Sequence, residues 1–180
     1  MADTVGHLSR RAVVGGLLAA PFIIRPAEAA SRARGLAMKH LHTHETIAAT
    51  YWRNGKYDKG AWKELNHFLR DWRTDDMVRI DLGTLDIIHD ICEKLGVSGK
   101  AEILSGYRSP KTNAMLRRNS GGVAKKSYHL KGQAVDFRIP GHNLHKVHRA
   151  ALSLKSGGVG LYTRSNFIHV DTGPVRNWGR

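Results

Sequence analysis

The sequence predicts an α+β fold, a small antiparallel sheet flanked by helices. Three observations point there. Apolar residues recur at three- and four-residue spacing in several stretches. Other short stretches alternate apolar and polar residues with period two. The two kinds interleave without the regular strand–helix repeat of a parallel sheet.

In order along the chain, residues 30–38 are small and basic and read as a loose terminus. Lys39–Thr46 alternates, with His40, His42 and His44 on one side of a strand that Ile47–Trp52 extends. Asn54-Gly55 signals a hairpin turn. Over 59–72, Trp62, Leu65, Phe68, Leu69 and Trp72 share one helical face. Asp81 caps a second helix whose stripe is Leu85, Ile88, Ile91, Cys92 and Leu95, and Gly96 stops it. Ala101–Ser105 is a short strand, Gly106–Pro110 a loop, and 111–119 a helix broken at Ser120-Gly121-Gly122. Val135, Phe137 and Ile139 alternate with Ala134, Asp136 and Arg138, the pattern of a half-buried strand. A helix spans 144–154 and ends at Gly157-Gly158. Residues 159–162 and 167–171 form a hairpin, and Trp178 anchors the tail.

The first 29 residues read as a leader. Arg10-Arg11 precedes an uncharged run to Ile24, and Ala27-Glu28-Ala29 suits a signal peptidase. The run is shorter than the ~20 apolar residues a bilayer requires. A twin arginine in this place predicts export of the rest, residues 30–180, by the twin-arginine pathway to the periplasm. That remainder suits one domain, a monomer with no membrane span after processing. Cys92 is the only cysteine, so no intrachain disulfide exists, and it reads as a small buried residue.

Lys and Arg number 29 against 15 Asp and Glu, a formal net charge of +14. The leader accounts for one unit of it. Such a surplus implies an anionic partner. Export argues against nucleic acid and leaves lipid head groups and wall peptides with free carboxylates. Lys125, Lys126 and Lys131 flank His129 and are the first candidates for that contact.

The residues with most chemistry are His129, Asp136 and His169, with Arg108 and Asp171 around them. A loop histidine and a strand aspartate seven positions later converge if Gly132 turns the chain. In Phe167-Ile168-His169-Val170-Asp171 the period of two sends His169 and Asp171 to one face and Ile168 and Val170 to the core. Two imidazoles and a carboxylate make a three-ligand zinc set with a fourth position for water, as in a catalytic site. Asp136 equally suits an arginine pair, and Asp171 the cap of a turn before Gly173-Pro174.

Ser105-Gly106-Tyr107-Arg108-Ser109, Ser127-x-His129 with Asp136, and His169-Val170-Asp171-Thr172-Gly173 resemble the zinc D-alanyl-D-alanine-type murein peptidases. That peptidase M15-like group shares a fold with the hedgehog signalling domain. Leu41-His42-Thr43, Tyr51-Trp52, Asn54-Gly55-x-Tyr57, Leu69–Thr74 and Ile80-Asp81 resemble its exported murein endopeptidase branch, the former domain-of-unknown-function 882 group. The likeness runs through nearly all of residues 36–178. It implies zinc-dependent hydrolysis of peptide cross-links in peptidoglycan, especially between two diaminopimelate residues. It also implies His129, Asp136 and His169 as zinc ligands and Arg108 facing the scissile carbonyl oxygen. Asn113 and Ser127 would contact substrate or support loops.

Three positions depart from the family pattern. Relatives carry glycine where this chain has His44 and proline where it has Leu82, and several place Glu or Asp where it has Asn166. Without an acid at Asn166, Asp171 is the local candidate for the general base. Its alternative role is to accept the free N–H of a ligand histidine and fix its tautomer. A His40/His42/His44 metal site is less favoured than a half-exposed strand face. The competing functions are a carboxypeptidase trimming terminal D-alanine and a non-catalytic wall-binding module of the same fold.

Overall fold

The computed structural model describes Met1 and residues 33–97, 100–120 and 122–179. The leader expected over 1–29 lies outside the described residues, Met1 apart. Strand β1 (Arg34–His40) turns at 41–43 into β2 (Thr46–Arg53), with Lys39 opposite Thr46. Asn54 and Gly55, at φ 51° and 78°, lead into β3 (Lys56–Tyr57). Paired positive φ values match the twist of a two-residue hairpin. Helix α1 (Lys59–Phe68) starts on Asp58, whose side chain accepts from the Ala61 N–H. Helix α2 (Leu82–Lys94) starts on Asp81, which accepts from Gly83 N–H.

Strand β4 (Lys100–Ser105) leads to α3 (Pro110–Asn119), capped by Ser109. A 3-10 turn (Tyr128–Lys131) ends at Gly132, φ 65°. Then come β5 (Ala134–Arg138), α4 (Leu144–Leu154), β6 (Gly158–Tyr162), β7 (Phe167–Asp171) and β8 (Arg176–Gly179).

Among the described residues the eight strands form one mixed sheet in the order β3-β2-β1-β4-β5-β7-β6-β8. Strands β1 and β4 run parallel, as do β6 and β8, and the other pairs are antiparallel. The α+β class holds. The small antiparallel sheet is corrected to a large mixed one. Two terminal segments account for the difference. Residues expected to be a loose start form β1, and the expected aromatic tail forms β8. Neither is a clean apolar alternation, so neither announces itself by period two. The strand expected across 39–46 is corrected too. His40 ends β1, its Nδ1 accepts the N–H of His42 and Thr43, and the chain reverses. The three histidines therefore do not share a strand face.

The reversal explains one departure from the family pattern. His44 sits at φ 61°, a left-handed conformation that glycine adopts freely. Leu82 is the first residue of α2, where proline is at home because no helical N–H is lost. His44→Gly should raise stability by about 1 kcal/mol. An increased midpoint in urea with an unchanged slope would verify it.

The core lies where α2 and α4 cover the sheet. Leu85, Ile88, Ile91 and Val147 pack with Val135, Phe137, Ile168 and Val170, all fully buried. Each such side chain contributes about 1.5–3 kcal/mol by leaving water. The surface Arg138–Glu102 pair contributes at most about 1 kcal/mol, so apolar burial sets the fold. Strand β5 was expected to be half-buried and is buried on both faces. On its second face Asp136 is covered by His129, His169 and Arg108. Cys92 is buried within the core, and burial pushes its thiol up to about 11, which keeps it inert.

Candidate metal centre and active-site cleft

Three elements bring the predicted ligands together. Asp136 on β5 and His169 on β7 are directly opposed partners of an antiparallel pair. His129 arrives from the 3-10 turn, whose Ser127 side chain accepts the His129 N–H. Gly132 then reverses the chain into β5. A side chain there would meet the Arg79 carbonyl as well as a strained φ.

Three donor atoms converge. His129 Nε2 lies 3.2 Å from Asp136 Oδ1 and 3.1 Å from His169 Nδ1. His169 Nδ1 lies 2.8 Å from Asp136 Oδ1. All three residues are buried. A tetrahedral ion with bonds of ~2.0–2.1 Å spaces its ligands about 3.3 Å apart, so the triangle is close to the right size. Each imidazole also has its other nitrogen engaged. His129 Nδ1–H donates to the Gly106 carbonyl at 2.7 Å, and His169 Nε2–H donates to Asp171 Oδ2 at 2.9 Å. Those bonds fix the tautomers, so that each ring, once neutral, turns a lone pair toward the triangle: Nε2 of His129 and Nδ1 of His169. The residues fit a divalent ion by number, type and tautomer.

The electrostatics agree. Burial holds the His129 imidazolium unfavourable and lowers its pKa. Burial also opposes charge on His169, but hydrogen bonds to Asp136 and Asp171 outweigh it and push it up to about 9. Burial opposes the Asp136 carboxylate as well, yet the two imidazoles hold it far below the usual range. In metal-free protein, then, His169 keeps a proton in the place a metal would take. Its raised pKa contributes stability that is complete below the unfolded value of about 6.5 and is lost as pH rises through about 9. Chelator-treated protein should therefore show a falling Tm between those pH values, and metal-loaded protein should not. Metal uptake near neutral pH should release a proton, measurable in weakly buffered solution.

Asp171 lies behind His169. It is wholly buried and accepts from His169, from both terminal nitrogens of Arg176 at 3.0 and 2.7 Å, and from the N–H of Gly158 and Gly173. Burial would raise its pKa, but these donors hold it down at about 2. Arg176 itself lies between the rings of Tyr128 and Trp178, and the Trp178 ring is 5.2 Å from that of His169. Sequence reasoning missed Arg176 and read Trp178 only as an anchor of the tail, not as a neighbour of His169. Their only signal was a two-residue spacing beyond the Gly173-Pro174 turn.

In front of the triad is a cleft of about 1210 Å³. Arg108, Ser127, His129, Asp136 and His169 line it, whereas Asn113 and Asp171 do not. Arg108 is 9% exposed, with Nη2 at 3.4 Å from Asp136 Oδ2 and Nη1 at 3.5 Å from Asn113 Oδ1. Asn113 donates to the Ala124 carbonyl, so it ties α3 to the cleft wall. Gly106 permits this geometry. A Cβ there would collide with Leu69, whose carbonyl accepts the Tyr107 N–H at 2.7 Å. Asn166 is exposed, outside the cleft lining, and at φ 54°, where it serves the β6–β7 turn. Of the flanking lysines, Lys126 lines the cleft, and Lys131 Nζ lies 5.6 Å from the centre of the Tyr128 ring.

Comparison with known proteins agrees with this geometry. No solved structure matches the chain significantly. It is 48% identical over 147 residues to peptidoglycan L,D-endopeptidase MepK of Escherichia coli strain K12, covering 82% of this chain and 81% of that protein. The MepK of Shigella flexneri gives the same values. The probable peptidoglycan L,D-endopeptidase MepK of Haemophilus influenzae is 44% identical over 146 residues, 81% of this chain and 78% of its own length. The model of the Peptidase_M15_2 family, described as peptidoglycan L,D-endopeptidase MepK, matches residues 28–178, which include every residue of the triad and of the cleft; the chain belongs to that family.

Proposed function

We propose that the protein is a zinc-dependent endopeptidase that hydrolyses peptide cross-links of peptidoglycan, those between two diaminopimelate residues in particular. The observation that carries this reading is the buried triangle of two converging imidazole nitrogens and one carboxylate at the floor of a cleft. Family membership supports peptidase chemistry on peptidoglycan. The paired arginines ahead of an apolar run support action in the periplasm, and no described helix is long and apolar enough to cross a membrane.

His129, Asp136 and His169 would hold the zinc ion, which would supply an acidified water (pKa toward ~7) and Lewis acidity for the scissile carbonyl. The protein's own residues do the rest. The Gly106 carbonyl and Asp171 hold the two imidazoles in orientation. Arg108 presents its guanidinium to the cleft, where the carbonyl oxygen gains negative charge during attack. Ser127 caps the turn that carries His129 and faces the same space. Asp171 supports orientation better than proton abstraction, since both its oxygens are occupied by donors and it does not line the cleft.

Mass spectrometry of wall digests tests the reading. Incubation with the protein should convert cross-linked dimers to monomers, and a chelator should stop it. Monomers shortened by one residue would identify a carboxypeptidase instead. Unchanged muropeptides in the presence of metal-loaded protein would leave only a wall-binding module.

A further inference from the structure

Two segments wall the cleft in front of the triad. One is the stretch 122–127 ahead of the 3-10 turn, and the other is the turn between β6 and β7. Each contributes one exposed cation to the lining, Lys126 from the first and Arg164 from the second. The other two lining cations are already held by carboxylates. Arg108 reaches toward Asp136, and Arg176 pairs with Asp171. Lys126 and Arg164 enter no ion pair among the described residues. Among the described residues Asp136 is the only acid in the lining, and it faces the two histidines. The walls therefore carry unmatched positive charge into a space whose floor carries the chemistry.

This charge has a specific complement if the activity proposed above holds. A bond between the L-centre carbonyl of one diaminopimelate and the D-centre amine of another leaves a free carboxylate on the carbon bearing the scissile nitrogen. That anion enters the cleft with the bond. We propose that Arg164 and Lys126 are specificity residues that receive the substrate carboxylate beside the scissile bond. Arg164 offers a planar fork for two parallel hydrogen bonds, and Lys126 adds a mobile point charge. Both side chains are exposed, so their selectivity weakens as salt rises.

The test uses two synthetic cross-linked dimers, identical except that the carboxylate on the carbon bearing the scissile nitrogen is free or amidated. Wild-type kcat/KM for the free form should exceed that for the amidated form by tenfold or more, chiefly through KM. Arg164→Gln and Lys126→Gln should lower kcat/KM for the free dimer and leave the amidated one near wild type. Lys146→Gln, exposed on α4 and outside the cleft lining, controls for loss of net charge. Reduced preference in either cleft variant supports the assignment. Equal turnover of both dimers by wild type, or a full preference in both variants, overturns it and leaves the peptidase reading intact. Equilibrium binding to the slow Arg108→Ala variant is read in parallel. A binding preference without any turnover by wild type would remove the peptidase reading and keep the carboxylate site.

Discussion

Arg108→Ala should turn over cross-linked dimers a hundredfold or more slowly than wild type while binding metal with unchanged affinity. Loss of one preorganised donor to a developing oxyanion costs about 2.7–4 kcal/mol of barrier, a factor of 10²–10³ in kcat. Metal affinity is spared because Arg108 donates to the non-converging oxygen of Asp136, and only at 3.4 Å. The decrease should sit in kcat, since the charge it meets arises during attack. Arg108→Lys should recover part of the rate, because it restores charge without the planar fork. Steady-state kinetics with metal content measured on the same samples would decide the matter. An equal loss of metal would show that Arg108 supports the ligand set instead.

The placement of Arg108 shows how far a local motif depends on distant residues. Asp71 is buried, accepts the Ser109 N–H at 2.8 Å across 38 positions of sequence, and thereby holds the start of α3. Burial works against its charge, yet bonds from Thr112, Ser109 and Arg73 keep its pKa low. Asn113 reaches Arg108 from within α3, and the Leu69 carbonyl grips the loop from the other side. None of this is visible from the Ser105–Ser109 stretch alone.

Legibility in the sequence followed the strength of the local signal. The α2 stripe with Asp81 before it and Gly96 after it was readable because periodicity and caps agreed. The β6–β7 hairpin was readable from period two. Helix α1 was expected to reach 72 but ends at Phe68, because Leu69 and Trp72 continue an apolar spacing that the loop toward Arg108 uses instead. Strands β1 and β8 escaped because basic and small residues dilute their alternation, and register across the sheet fixed them instead. For the site, residue types and spacing suggested the triad. The cross-strand opposition of Asp136 and His169 could come only from register. The Arg176–Asp171 pair likewise belongs to tertiary structure, since the two lie on strands that are not hydrogen-bonded neighbours.

Asp171→Asn separates the two roles open to that carboxylate. A general base must reach a proton in the cleft, but Asp171 is wholly buried and receives its donors from His169, Arg176 and two backbone amides. An amide in its place keeps one acceptor oxygen and presents an NH2 group. If that NH2 faces His169 Nε2, the ring's proton moves to Nδ1, where a metal must bind. Arg176 would also lose its anion while stacked between Tyr128 and Trp178. We therefore expect metal affinity to fall tenfold to a hundredfold, as is typical when a partner of a ligating histidine is changed. Saturating zinc should then return most of the lost kcat, because no proton transfer has been removed. A variant that holds zinc as tightly as wild type and stays inactive at every zinc concentration would instead make Asp171 the base, with the cleft reaching it by a movement of β8. Competition with a metal indicator, run beside turnover at rising zinc, distinguishes these outcomes.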